Sequence, residues 1–295
     1  MRLISINNDN AVELGRKLSE IGLERILTLE EQDPQFLAMK ILSKIGDTKL
    51  VCTLALMNAL TSYKLSSKGE DYWIEFSKYF SVNPPTNWDS LPEAMLNFMR
   101  NSKGNKVLIE QKYSRLKTLK SSGFLIGLKE KFDYYLNNLE TLRYYLATSL
   151  NTNVNSKTIV FAIKMLYYAF RASTGKIIVL PMDIPIPIDI RIATMSYITG
   201  IISIKPPLKS LQESADLIMK NYDDAQKAWS IVAETSQIPP LHIDSIIWPL
   251  LDIARKNNYN KYVTLKMSED FLSNLWKDLD KNLLSDILLT IFKNL

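Results

Sequence analysis

"NTNVNSKTIVFAIKMLYYAF" occupies residues 151–170. Small polar residues around one valine lead into a strongly apolar helical pattern, with Lys157 at its entrance and Lys164 inside it. Burying or half-burying an amine is costly, so these two positions call for a reason. Ser156 is a plausible N-cap, which puts Lys157 in the first helical turn, where the backbone dipole is positive. A cation is mildly disfavoured there, so the amine should give up its proton more easily, and a neutral lysine amine is a nucleophile. Lys157, Phe161 and Lys164 follow i, i+4, i+7 spacing, which lines up an amine, an aromatic ring and a second amine on one face. The plainer reading is a surface helix whose lysines snorkel, and spacing alone favours it.

Outward from this stretch, helical signals dominate. Asp33-Pro34 reads as N-cap and first helical residue before Phe36, Met39, Ile41 and Leu42. Asp47 precedes another apolar run, Leu50 to Leu65. Ser90-Leu91-Pro92-Glu93 and Ser210-Leu211-Gln212-Glu213 both fit a capping box. The second opens a helical stretch towards Thr235, with a break near Asn221. Ser268 is a candidate cap for a helix bearing Phe271, Leu272 and Leu275, and Leu283 to Phe292 is a last helix. Ile177 to Leu180 is a strand candidate. Pro181, Pro185 and Pro187 make the following stretch an extended loop, because proline removes ladder donors. Pro84-Pro85, Pro206-Pro207 and Pro239-Pro240 mark further breaks. There is no fixed-period repeat, and the pattern predicts an all-α chain.

Composition narrows the function classes. The chain has 295 residues, 46% hydrophobic and 23% charged, as expected of a globular protein with a substantial core. No apolar run is long enough for a transmembrane helix, and MRLISINNDN lacks the features of a signal peptide. The single cysteine, Cys52, excludes an internal disulfide and an iron–sulfur cluster. His242 is the one histidine, which rules out multi-histidine zinc ligation. No metal or cofactor is expected, and a reducing cell interior is the expected location. Net charge is +5. From Arg100 to Lys131, nine Lys/Arg (Arg100, Lys103, Lys106, Lys112, Arg115, Lys117, Lys120, Lys129 and Lys131) stand against two Glu. Such a segment would attract a phosphate backbone, although a solvated helix face explains it equally well.

Two further constellations stand out. Asp189 follows the proline-rich loop and precedes Ile190-Arg191-Ile192-Ala193, so it is a good N-cap candidate. In "IPPLHIDSIIW", Asp244 and Trp248 are four residues apart and share a helix face. A carboxylate beside an indole suits a planar ligand with donors at its edge, but a core tryptophan with an exposed aspartate is the commoner case.

Taken together, "SKTIVFAIKMLYYAF", "VLPMDIPIPIDIRIA" and "IPPLHIDSIIW" resemble the archaeal GO glycosylase family. "LEEQDPQF", "LALMNALTSYKLSSKGEDYW" and "FSKYF" agree with it as well, so the similarity runs from about residue 10 to residue 256. The resemblance implies an 8-oxoguanine DNA glycosylase with AP-lyase activity in the helix-hairpin-helix superfamily. The implied fold is one glycosylase unit over 1–295, built as two helical subdomains with a cleft between them. Its helix-hairpin-helix and catalytic segment would span about 137–200, with the basic helical segment at about 100–131. The family's catalytic lysine falls on Lys157 and its aspartate on Asp189. Its lesion-pocket residues fall on Gln35, Trp73, Phe161, Lys164, Asp244 and Trp248. On sequence alone Trp73, in the aromatic run Trp73, Phe76, Tyr79 and Phe80, reads as core, and Gln35 reads as surface. One departure from the wider superfamily is visible. In place of a leucine-proline-glycine-valine-glycine hairpin stand Leu150 and then Thr152-Asn153-Val154-Asn155, with one residue between. Asparagine tolerates positive φ best after glycine, so Asn153 and Asn155 are expected to make the turn.

The implied substrate is DNA carrying 8-oxoguanine, opposite cytosine or in single strands, with the nucleotide flipped into a pocket. Phe161 and Trp248 would stack on the two faces of the base, each contact contributing about 1–3 kcal/mol. Asp244 and Gln35 would meet its edge, and Lys164 would help hold it. Lys157 would attack the sugar to give a Schiff base, and Asp189 would stabilise the developing positive charge. Partial burial of Lys157 is expected to assist. Such an enzyme would work as a monomer, without membrane association, in a prokaryotic interior beside the chromosome. Two other classes compete: a helix-hairpin-helix protein that binds damaged DNA without cleaving it, and an α-helical protein-interaction module whose pocket residues are core.

Overall fold

The computed structural model describes residues 3–295. Among them are seventeen α-helices, two short 3-10 turns and one two-stranded sheet. They form two compact units: residues up to Glu30 together with Met182–Leu295, and Glu31–Pro181.

The Glu31–Pro181 unit is built around Thr48–Thr61, whose residues from Leu50 onward are all buried. A helix that is apolar all round belongs inside a layer of others. It packs against Lys157–Thr174. Gly69–Val82 and Leu91–Asn101 supply a cluster of aromatic rings, in which Phe98 contacts Tyr72, Phe76, Tyr79 and Phe80. Asp33 caps its helix as expected, accepting from the Gln35 amide, and Asp47 caps the next, accepting from the Leu50 amide. Ser90 does not: its hydroxyl donates to the Asn87 carbonyl, because a 3-10 turn over Trp88–Ser90 precedes the helix. Ile177 to Leu180 is loop rather than strand.

In the other unit, Asn8–Ile21 lies against Tyr222–Ser236. Gly15 permits the close approach, since a Cβ there would sit 2.5 Å from Thr235 Cβ. Ile4–Ile6 pairs antiparallel with Ile202–Ile204, two copies of the tripeptide ISI in register Ile4 to Ile204. The core collects Leu14, Leu18, Trp229, Ile246 and Leu250, and the Trp229 indole donates to Ser196. The expected break falls at Asn221, between Leu211–Lys220 and Tyr222–Ser236. Ser210 caps Glu213, but Glu213 reaches back to the amide of Lys209 rather than closing the box on Ser210. Ser268 is no cap: it is buried inside Lys261–Leu275, which Asn260 caps. Among the described residues no helix is long and apolar enough to cross a membrane.

Candidate active site

The helix-hairpin-helix geometry is set by Leu139–Ser149, a turn, and Lys157–Thr174. The turn differs from expectation. Asn151 takes the left-handed conformation (φ 47°), and neither Asn153 nor Asn155 does. Their side chains act instead: the Asn155 amide donates to Asn153 Oδ1, and Asn155 Oδ1 accepts from Arg143. Short polar side chains replace backbone freedom in shaping the hairpin.

Lys157 is the first residue of its helix, as expected, and Ser156 is the N-cap. The Ser156 hydroxyl nevertheless caps nothing; it is buried without a hydrogen-bond partner. Lys157 is exposed, so the expected partial burial is not present in the chain alone. Behind this turn, Arg115 donates to Thr158 Oγ1 at 2.8 Å and ties the basic segment to the first turn. The basic segment is therefore not one smooth face. Arg115 is half-buried and Lys112 is fully buried, its amine donating to Asn105 and lying 4.9 Å from the centre of the Tyr63 ring.

Further along the same face, Phe161 is half-buried and Lys164 is only 2% exposed. Trp73, also 2% exposed, meets Phe161 edge-on at 5.9 Å between ring centres. Trp73 is thus core, as it reads on sequence alone, and it also fixes the ring of the stripe. The Lys164 amine lies 5.3 Å from the centre of the Tyr168 ring. Gln35 is half-buried just inside the Asp33 cap, in the same unit. Lys157, Phe161, Lys164, Trp73 and Gln35 therefore all belong to Glu31–Pro181.

Asp189, Asp244 and Trp248 belong to the other unit. Asp189 caps Ile190–Ile198, with one carboxylate oxygen accepting from the amides of Arg191 (2.9 Å) and Ile192 (3.0 Å). Those bonds and the helix dipole hold a negative charge at a fixed point. Asp244 is buried on Pro240–Lys256, and Trp248 is half-buried one turn on. The Arg191 guanidinium lies 3.4 Å from the centre of the Trp248 ring, a stacking distance. Beside Asp244, His242 Nδ1 and Glu30 Oε1 are 2.7 Å apart and both side chains are fully buried. Sequence reasoning named Arg191 and Arg115 but gave neither a place at the site. Arg191 stands two positions after the Asp189 cap, which was a usable signal; nothing local points from Arg115 to Thr158. Among the described residues no group of three or more His, Cys, Asp or Glu side chains is placed to hold a metal ion.

Comparison with known proteins shows the family. The sequence profile described as AGOG, N-glycosylase/DNA lyase, matches residues 15–281. An N-glycosylase/DNA lyase from Thermococcus kodakarensis is 38% identical over 85% of this chain and 87% of its own length. One from Methanococcus maripaludis is 36% identical over 83% and 87%. Among solved structures, the 8-oxoguanosine complex of the 8-oxoguanine DNA glycosylase from Pyrobaculum aerophilum superposes with a TM-score of 0.69. It is 32% identical and covers 83% of this chain and 88% of that one. The match extends past residue 257 into the segment that the motifs leave unassigned, and the chain belongs to the AGOG family of N-glycosylase/DNA lyases, enzymes of DNA repair.

Proposed function

We propose that the enzyme excises 8-oxoguanine from DNA, with Lys157 as the nucleophile and Asp189 as the electrostatic partner. One observation carries the reading. Two amines share a helix face, and the one at the helix entrance is exposed while the one two turns on is buried beside the Tyr168 ring. A protein that only bound damage would need no exposed amine at the helix entrance beside its recognition face, which counts against the non-catalytic alternative.

In this reading the flipped base stacks on Phe161 and Trp248. Gln35, Lys164 and Asp244 hydrogen-bond its edge, and Trp73 holds Phe161. Lys157 Nζ forms a bond to C1′ as the glycosidic bond breaks, and the base leaves with that electron pair and takes up a proton. Opening of the sugar gives a protonated imine. Loss of a C2′ proton then expels the 3′ phosphate by β-elimination, and water releases the lysine. The carboxylate of Asp189 stabilises the positive charge that develops on the sugar. Residues 137–200 serve as the helix-hairpin-helix and catalytic segment, and the exposed lysines of 100–131 as part of the DNA-contacting surface. The enzyme works as a monomer on chromosomal DNA within a prokaryotic cell.

Borohydride trapping on DNA containing 8-oxoguanine tests this. Wild type should give a covalent adduct and Lys157→Gln none. Asp189→Asn should slow adduct formation by about a hundredfold or more. An adduct undiminished in Lys157→Gln would sink the assignment.

A further inference from the structure

The Lys157–Phe161–Lys164 stripe does not stop at Lys164. It continues at i+11 and i+14 with Tyr168 and Arg171. Both reach the segment that carries Gln35. The Tyr168 hydroxyl donates to Asp33 Oδ2 at 3.0 Å, and Asp33 Oδ1 accepts from the Gln35 amide at 2.8 Å. One carboxylate therefore bridges the reactive helix and the backbone of Gln35. On the other side of Gln35, Phe36 meets the Tyr168 ring edge-on at 5.4 Å. Arg171 donates to Glu31 at 2.8 Å and lies 5.1 Å from the centre of the Phe36 ring. The same Tyr168 ring lies 5.3 Å from the Lys164 amine.

We infer that Tyr168, acting through Asp33, is a positioning residue for base recognition: it sets Gln35 and Lys164 in register with each other. The inference rests on the proposed role of those two residues at the base edge. Capping the Pro34–Leu42 helix requires only one oxygen of Asp33. The second oxygen and the tyrosine hydroxyl add a tie between two helices, and a charge-assisted bond of that kind fixes geometry. A phenylalanine would fill the same space and keep the ring under Lys164, so Tyr168→Phe isolates the tie.

Two substrates separate positioning from general damage. Excision of 8-oxoguanine needs the base to be held, whereas trapping on a ready-made abasic site has no base to hold. Tyr168→Phe should lower the single-turnover excision rate about tenfold and keep abasic-site trapping within about twofold of wild type. In a Gln35→Ala background it should add little further loss, because the two act as one unit. Full excision by Tyr168→Phe, an equal loss on both substrates, or a fully additive double variant would each overturn the inference. Wild-type trapping and its loss in Lys157→Gln are scored first. If those fail, the proposed chemistry falls and this inference with it; if they hold and Tyr168→Phe behaves as wild type, only the inference falls.

Discussion

The first turn of the Lys157–Thr174 helix and its middle carry the same kind of side chain on the same face, yet they are built in opposite ways. Around Lys157 the chain places an exposed amine and an N-cap whose hydroxyl bonds to nothing. Around Lys164 it places the Tyr168 ring and an almost complete exclusion of solvent. An amine that must form and break a bond needs access, whereas an amine that reads a base edge needs a fixed position. Under the proposed assignment of Lys157 and Lys164, reaction and recognition are separated along one helix by two turns.

The sharpest way to break that comparison is to remove each amine in turn. Lys157→Gln should abolish trapping and strand cleavage, a loss of at least about a thousandfold, on oxidised and abasic DNA alike. Lys164→Met keeps the length and packing of the side chain. It should lower 8-oxoguanine excision about tenfold or more, and strand cleavage at abasic sites by much less. Equal losses on both substrates in Lys164→Met would show that the two lysines share one task.

This division was only half legible in the sequence. The i, i+4, i+7 spacing put both lysines and Phe161 on one face, and the Asp33, Asp47 and Asn221 boundaries were readable because capping and breaking are local chemistry. What holds the surroundings of Lys164 in place was not: Tyr168 lies only one turn from Lys164, but its partner Asp33 is 135 residues away. The Ile4–Ile6 and Ile202–Ile204 strands were missed for a related reason. Three residues show no periodicity, and the pairing spans nearly 200 positions. Ser90 and Ser268 show the converse failure: Ser90 holds the cap position but its hydroxyl turns back to the Asn87 carbonyl, and Ser268 lies eight residues past Asn260, which caps the helix. Gln35 and Trp73 gain a role through the resemblance to the glycosylases. Nothing in their own neighbourhoods distinguishes a reader of a base from an ordinary surface or core residue.

Lys112 sharpens the comparison from another side. It is buried like Lys164, and burial pushes its amine down from 10.5 to about 8. Between those values the unfolded chain binds more protons than the folded one, so stability should rise with pH through that window. Below about 8 both states are charged and the desolvation penalty is at full strength. Above about 10 the buried Tyr72 phenol, raised by desolvation, opposes the rise, because the unfolded chain loses that proton first. Urea midpoints measured between about pH 7.5 and 9.5 should increase, and Lys112→Met should flatten the increase. A lowered amine is not enough for reaction, however. Lys112 has no solvent access, so Lys157→Gln should show no residual trapping at pH 9, where Lys112 is largely neutral.

The smallest expected effect concerns the cap itself. Asp47 accepts from the Leu50 amide, so Asp47→Ala should cost about 1 kcal/mol, as a lost N-cap does. Ser156 stands at the equivalent position of the Lys157–Thr174 helix with no such bond. Ser156→Ala should therefore change the unfolding free energy by less than about 0.5 kcal/mol, and removing a buried hydroxyl that has no partner favours the stabilising sign. A loss as large as that of Asp47→Ala would mean that the serine does cap the helix in solution. The first-turn amides beside Lys157 would then be satisfied by the chain itself, and the contrast between an open first turn and a closed middle would no longer hold.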